Sequence, residues 1–169
     1  LHICDLKQRK GWIPEKPTSK IRFGTIQRHV RTQQIAGKGF TPHFKIGCLV
    51  TGGYDSGSFT FEMESLCEHI TIMKTLYLNY YKVEDLRFRF LCCAGYPRSQ
   101  ELARQVRAFV LQQHPEATIH IVDQPEQAIG YYKGIQYKID IRLDGKEFEI
   151  GDGGFVDWTQ QLLQSRKER

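Results

Sequence analysis

The chain has 169 residues, 40% hydrophobic and 12% aromatic, with 24 basic and 19 acidic side chains and a net charge of +5. That length fits one domain, or a domain with a small appendage, and the apolar share suffices for a packed core. The charge is mild and interspersed, so nucleotide or nucleic acid is permitted as a partner but not demanded, and no apolar stretch reaches the ~18 residues of a membrane span.

Residues 1–19 read as an irregular lead-in punctuated by Gly11, Pro14 and Pro17, with Trp12 expected to pack on the sheet; residues 20–169 read as one core. The lead-in lacks the apolar core of a signal peptide, which predicts a cytoplasmic protein. Ile21 to Val30 and Phe44 to Val50 are β-compatible runs flanking a basic, glycine-bearing connection. They predict an antiparallel hairpin in the central sheet, its Gln33 to Pro42 loop solvent-facing and mobile. After the turn formers of Thr51 to Ser58, Thr60 is placed to cap a helix beginning near Phe61. Met63, Leu66, Cys67, Ile70, Met73, Tyr77 and Tyr80 recur at helical spacing, which carries that helix to about Tyr80.

Leu86 to Leu91 alternates as a strand with Arg87 and Arg89 on its solvent face. Ser99 is placed to cap a second helix to about Gln113, with Leu102, Val106, Phe109 and Val110 inward. Thr118 to Val122 predicts a short strand. Ile135, Tyr137, Ile139, Ile141 and Leu143 then alternate with polar residues, Asp144-Gly145 signals a type I′ turn, and Lys146 to Ile150 returns as the hairpin partner. Gly151 to Gly154 leads into a helix from Val156 to Gln164, and Ser165 to Arg169 is expected to fray. Strands in hairpins around two good helices predict an α+β fold with a central antiparallel sheet flanked by helices. The cysteines, Cys4, Cys48, Cys67, Cys92 and Cys93, show no Cys-x-x-Cys pair, and read as reduced, mostly buried thiols and not as zinc ligands.

Three segments carry a family resemblance. Arg28-His29-Val30-Arg31-Thr32-Gln33, then Gly37-Lys38-Gly39-Phe40 and His43-Phe44-Lys45, resembles motif 2 of class II aminoacyl-tRNA synthetases in its histidyl version (Arg-His-Glu-Arg-Pro-Gln, loop, Lys-Gly-Arg, Phe-His-Gln). Ile129-Gly130-Tyr131-Tyr132-Lys133-Gly134 is similar to that family's Tyr-Tyr-Thr-Gly segment. Gly153-Gly154-Phe155-Val156-Asp157 is similar to its Gly-Gly-Arg-Tyr-Asp segment. Together they cover residues 20–164 in the family's order.

The resemblance implies a site for ATP with Mg2+, or for an acyl-adenylate. Arg28 stands at the motif 2 arginine, the catalytic position, where a permanently charged fork stabilises the charge that builds on the α-phosphate. Arg31 and Lys38 would approach the outer phosphates or a tRNA end, or be surface charges. Tyr131 and Tyr132 would line the pocket with one ring and the core with the other, and Gly151, Gly153 and Gly154 would leave room for a flat ligand or form an ordinary glycine turn. If active, such a protein is an ATP-dependent adenylate-forming ligase, and a homodimer at full length. Motif 1 has no place before Leu1 and motif 3 would lie beyond Arg169, so the chain reads as a fragment of that core.

Departures from the pattern argue against histidine. The motif 2 glutamate is Val30, the glutamine of Phe-His-Gln is Lys45, a later glutamate is Leu49, and the arginine before the Tyr-Tyr segment is Gln127. Acceptors for an α-ammonium group are lost and the cation Lys45 is added. The implied function is a nucleotide- or acyl-adenylate-binding domain without histidine specificity. The alternatives are a non-catalytic regulatory paralogue, such as the regulatory subunit of ATP phosphoribosyltransferase with its partner protein, or a nucleic-acid-binding α+β domain using the basic faces of Ile21 to Val30 and Leu86 to Phe90.

Overall fold

A computed structural model describes residues 20–32, 41–93, 96, 98–122, 130–164 and 166. The lead-in, Lys38 with most of its loop, Gln127 and most of the C-terminal tail lie outside the described residues. In chain order the elements are β1 (Ile21–Val30), β2 (His43–Gly52), α1 (Thr60–Lys74) with a π-helical continuation (Thr75–Tyr80), β3 (Asp85–Cys92), α2 (Ser99–Gln113), β4 (Thr118–Val122), β5 (Lys133–Leu143), β6 (Lys146–Phe155) and α3 (Trp158–Leu163). This is the α+β fold expected, with a four-stranded sheet ordered β4-β3-β5-β6.

Two features depart from the expectation. β4 runs parallel to β3 while β3, β5 and β6 are antiparallel. A helix of 15 residues connects β3 to β4, and a crossover of that length delivers the chain to the same end of the sheet, unlike a tight turn. The motif-bearing hairpin forms its own two-stranded sheet and is not a member of the central one. Its alternation is too mixed to bury a face: Arg22, Gly24, Ile26, Arg28 and Val30 share one side of β1, while Ile21, Phe23, Thr25, Gln27 and His29 share the other. Ile26 is accordingly 76% exposed and Val30 62%.

The central sheet follows its pattern closely. Leu86, Phe88 and Phe90 of β3 pair with Ile141, Ile139 and Tyr137 of β5. These side chains form one buried face, onto which Leu66 and Ile70 of α1 and Leu102, Val106 and Val110 of α2 pack. Asp144 and Gly145 both take positive φ, 50° and 69°, as a type I′ turn requires. β6 extends past Ile150 to Phe155, so the glycine run is strand and not a turn. Both long helices are entered through a left-handed residue, Phe59 and Arg98, with no side-chain cap. Thr60 and Ser99 are therefore first helical residues and not the caps expected. Phe59 is buried and Arg98 lies 5.2 Å from its ring centroid, contacts that help hold both residues in that backbone region.

Candidate functional site

The candidate residues fall on two elements. Arg28 and Lys45 are directly opposite in the β1–β2 register and so project from the same side of the hairpin. Both are exposed, and among the described residues no carboxylate pairs with either. Like charges facing each other across strands repel, so this pair is a cost that an anion between them would relieve. Arg31 belongs to the other side. Its guanidinium lies 5.2 Å from the Phe44 ring centroid, and Phe44 in turn stacks on its register partner His29 at 5.9 Å. Among the described residues, Arg31 therefore does not join Arg28 and Lys45 in one cluster.

The second group surrounds the end of β6. Tyr132 donates to Asp152 at 3.1 Å, and Gln136, itself fully buried, donates to the same carboxylate oxygen at 3.2 Å. Tyr131 packs on Tyr132 at 4.5 Å and on Trp158 at 5.6 Å. Burial first, then the Tyr131 contact and the Asp152 carboxylate, push the Tyr132 phenol well above its usual range. The Tyr137 phenol is pushed up to about 12, mainly by burial, with Asp152 and the Cys48 thiol of β2 adding to it.

The glycine run does not form an open shelf. A Cβ on Gly153 would collide with the Tyr137 hydroxyl and ring, and one on Gly154 would lie 2.6 Å from both the Ile135 carbonyl oxygen and the Tyr132 ring. Gly153 pairs with Tyr137 on the helix-covered face, while Gly154 pairs with Gln136 on the open face. The missing side chains thus accommodate the protein's own tyrosines, one on each side, and leave no room there for the flat ligand expected. Gly151 has only an ordinary contact, 3.7 Å to Ile139.

The open face of the sheet is charge-balanced. Arg89 contacts Asp140 at 2.6 and 3.0 Å and Glu149 at 2.8 Å; Lys138 reaches Glu149 at 3.2 Å. Arg87 pairs with Asp85 and Glu147, and Arg142 with Glu147. The Asp140 hydrogen bond, above all, raises the Arg89 pKa. The basic face expected at Leu86 to Phe90 is therefore neutralised by acids from β3, β5 and β6, which the alternation of β3 by itself could not disclose.

Of the thiols, Cys67 and Cys93 are buried, Cys92 is half-buried and Cys48 is exposed, the last against expectation because it sits on the free hairpin. Among the described residues no cluster of three or more His, Cys, Asp or Glu is arranged to hold a metal ion, and no helix is long and apolar enough to cross a membrane. Sequence reasoning missed Asp152, Gln136 and Trp158. Continued from the Asp144-Gly145 turn, the register would set Tyr137 opposite Asp152; a β-bulge between Ile139 and Asp140 moves it to Gly153, a shift that the sequence pattern does not disclose.

No protein-family profile and no curated protein matches the chain. Among solved structures it is similar to apo S. aureus histidyl-tRNA synthetase, with a TM-score of 0.63 and 13% identity over 96% of this chain. The chain spans 42% of that structure's length. The likeness is one of fold, and the fold is class II synthetase-like.

Proposed function

We propose that the chain is a class II synthetase-like domain whose hairpin grips the phosphates of a nucleotide or acyl-adenylate, without specificity for histidine. The observation that carries this is the exposed Arg28–Lys45 pair, two cations held face to face by the strand register. A phosphate between them would accept charge-assisted hydrogen bonds, bidentate from Arg28. ATP fits this grip through its phosphates, and Mg2+ would enter with them. Its base does not fit over Gly153 and Gly154, where Tyr137 and Tyr132 lie. Lys45, in place of an acceptor, would repel a free α-ammonium group.

The filled glycine strand favours a second reading, a non-catalytic regulatory paralogue that acts through a partner protein. A nucleic-acid partner would be left mainly with the arm of β1 and β2, since Arg87, Arg89, Lys138 and Arg142 of the sheet are paired with carboxylates.

Titration of ATP and of AMP against the full-length protein separates these readings. Arg28→Ala removes a charge-assisted hydrogen bond worth roughly 1.5–3 kcal/mol, on the order of ten- to a hundredfold in affinity. Arg28→Lys should recover part of that, and melting temperatures should stay level because the side chain is exposed. Equal affinities in wild type and Arg28→Ala would remove the phosphate grip and leave the regulatory reading.

A further inference from the structure

Arg22 and Thr51 are register partners and so leave the hairpin on one side. They meet two consecutive residues of α1: Arg22 Nε donates to the Glu68 carboxylate at 2.7 and 2.8 Å, and Thr51 Oγ1 lies 2.9 Å from His69 Nε2. Lys20, one residue before β1, reaches Glu64 Oε2 at 2.8 Å, one turn earlier on the same helix. Beyond this base, most of the hairpin is exposed on both sides, from Gly24 to Val30 on β1 and from Lys45 to Cys48 on β2. An isolated two-stranded ribbon is marginal in water, so its position depends on where it is anchored.

We propose that Arg22–Glu68 and Thr51–His69 form a pH-sensitive clamp, which docks the base of the hairpin on α1 while His69 is neutral and releases it when His69 is protonated. His69 is half-buried, and the charged groups acting on it are Arg22 and Lys20 from the hairpin side and Glu68 from α1, Glu64 being engaged by Lys20; Thr51 of β2 offers only its hydroxyl. Burial, above all, holds the imidazole below its usual pKa of 6.5; Arg22 and Lys20 push the same way, and Glu68 opposes them. The Glu68 carboxylate is already committed to Arg22, and its own pKa is lowered chiefly by that bond. A proton on His69 therefore adds a third cation beside Lys20 and Arg22.

The sign follows from the lowered value. Docking is at full strength above about pH 6.5, where His69 is neutral docked or undocked. Below that the undocked state takes up the proton more readily, and docking weakens until pH has fallen through the lowered docked pKa. The clamp is independent of the phosphate grip, because its test needs no ligand.

The test is a ligand-free NMR titration of the full-length protein from pH 8 to 5, following the His69 ring and the backbone amides of β1, β2 and the central sheet. The expected result is a His69 midpoint below 6.5, with β1 and β2 amides shifting and gaining nanosecond motion at that same midpoint. Amides of β3 and β5 should stay still. His69→Gln, which keeps a neutral hydrogen-bonding group, should abolish the transition, and Thr51→Val should give a loosened arm at every pH. Arm amides unmoved through the His69 titration, arm and sheet moving together, or the same transition surviving in His69→Gln would each overturn the clamp.

Discussion

Gly154 shows how one residue's identity is set by its neighbours. With Ile135 carbonyl oxygen and the Tyr132 ring each 2.6 Å from where a Cβ would stand, no rotamer change relieves the backbone clash. Gly154→Ala should therefore destabilise by roughly 1–3 kcal/mol, the usual cost of overpacking, seen as a lowered melting temperature. Gly151→Ala, whose nearest neighbour is Ile139 at 3.7 Å, is the matched control and should melt close to wild type. Equal losses at both positions would point to glycine's backbone freedom and not to the tyrosines. Residue type was legible here and its reason was not. A glycine run announces close approach, but only the folded chain shows what approaches: the bulged β5–β6 pairing sets Tyr137 over Gly153, and Tyr132, just before β5, lies against Gly154.

At the scale of elements, legibility tracked how strictly the pattern alternates. β5 sends Ile135, Tyr137, Ile139 and Ile141 to one buried face, and the Asp144-Gly145 turn fixes its pairing with β6 as far as Asp140 and Glu149, so that part of the hairpin could be placed from sequence, while the bulge beyond it could not. β1 alternates poorly, and its pairing with β2 was legible while its attachment was not. The groups that anchor it, Glu68 and His69, lie on a helix whose stripe reads only as core-facing. The charges of the open face were equally hidden: Arg89 meets Asp140 and Glu149 across 51 and 60 residues of sequence. Arg89→Ala should accordingly lower the melting temperature by leaving Asp140 and Glu149 without the guanidinium they share. It should also leave the affinity for ATP unchanged, because the phosphate grip lies on the other sheet. A loss of ATP affinity in that variant, measured beside Arg28→Ala, would move the site to the open face.

For the whole molecule, the α+β architecture joins a four-stranded sheet to a protruding cationic arm, within a class II synthetase-like fold. Fold likeness does not carry function, which rests on the grafted site. Of the departures from the resembled motifs, Val30, Lys45 and Leu49 lie on the arm, and Gln127 lies outside the described residues. We expect histidine-dependent pyrophosphate exchange to be undetectable with the full-length protein, and exchange competed by histidinol would contradict that. The most direct measurement of the central claim is an amide chemical-shift map of the full-length protein titrated with ATP. Perturbations are expected to centre on Ile26 to Val30 and His43 to Gly47 and to be abolished in Arg28→Ala. Perturbations centred on Arg87, Arg89 and Lys138 instead, or an unchanged map on the arm at saturating ATP, would contradict that claim.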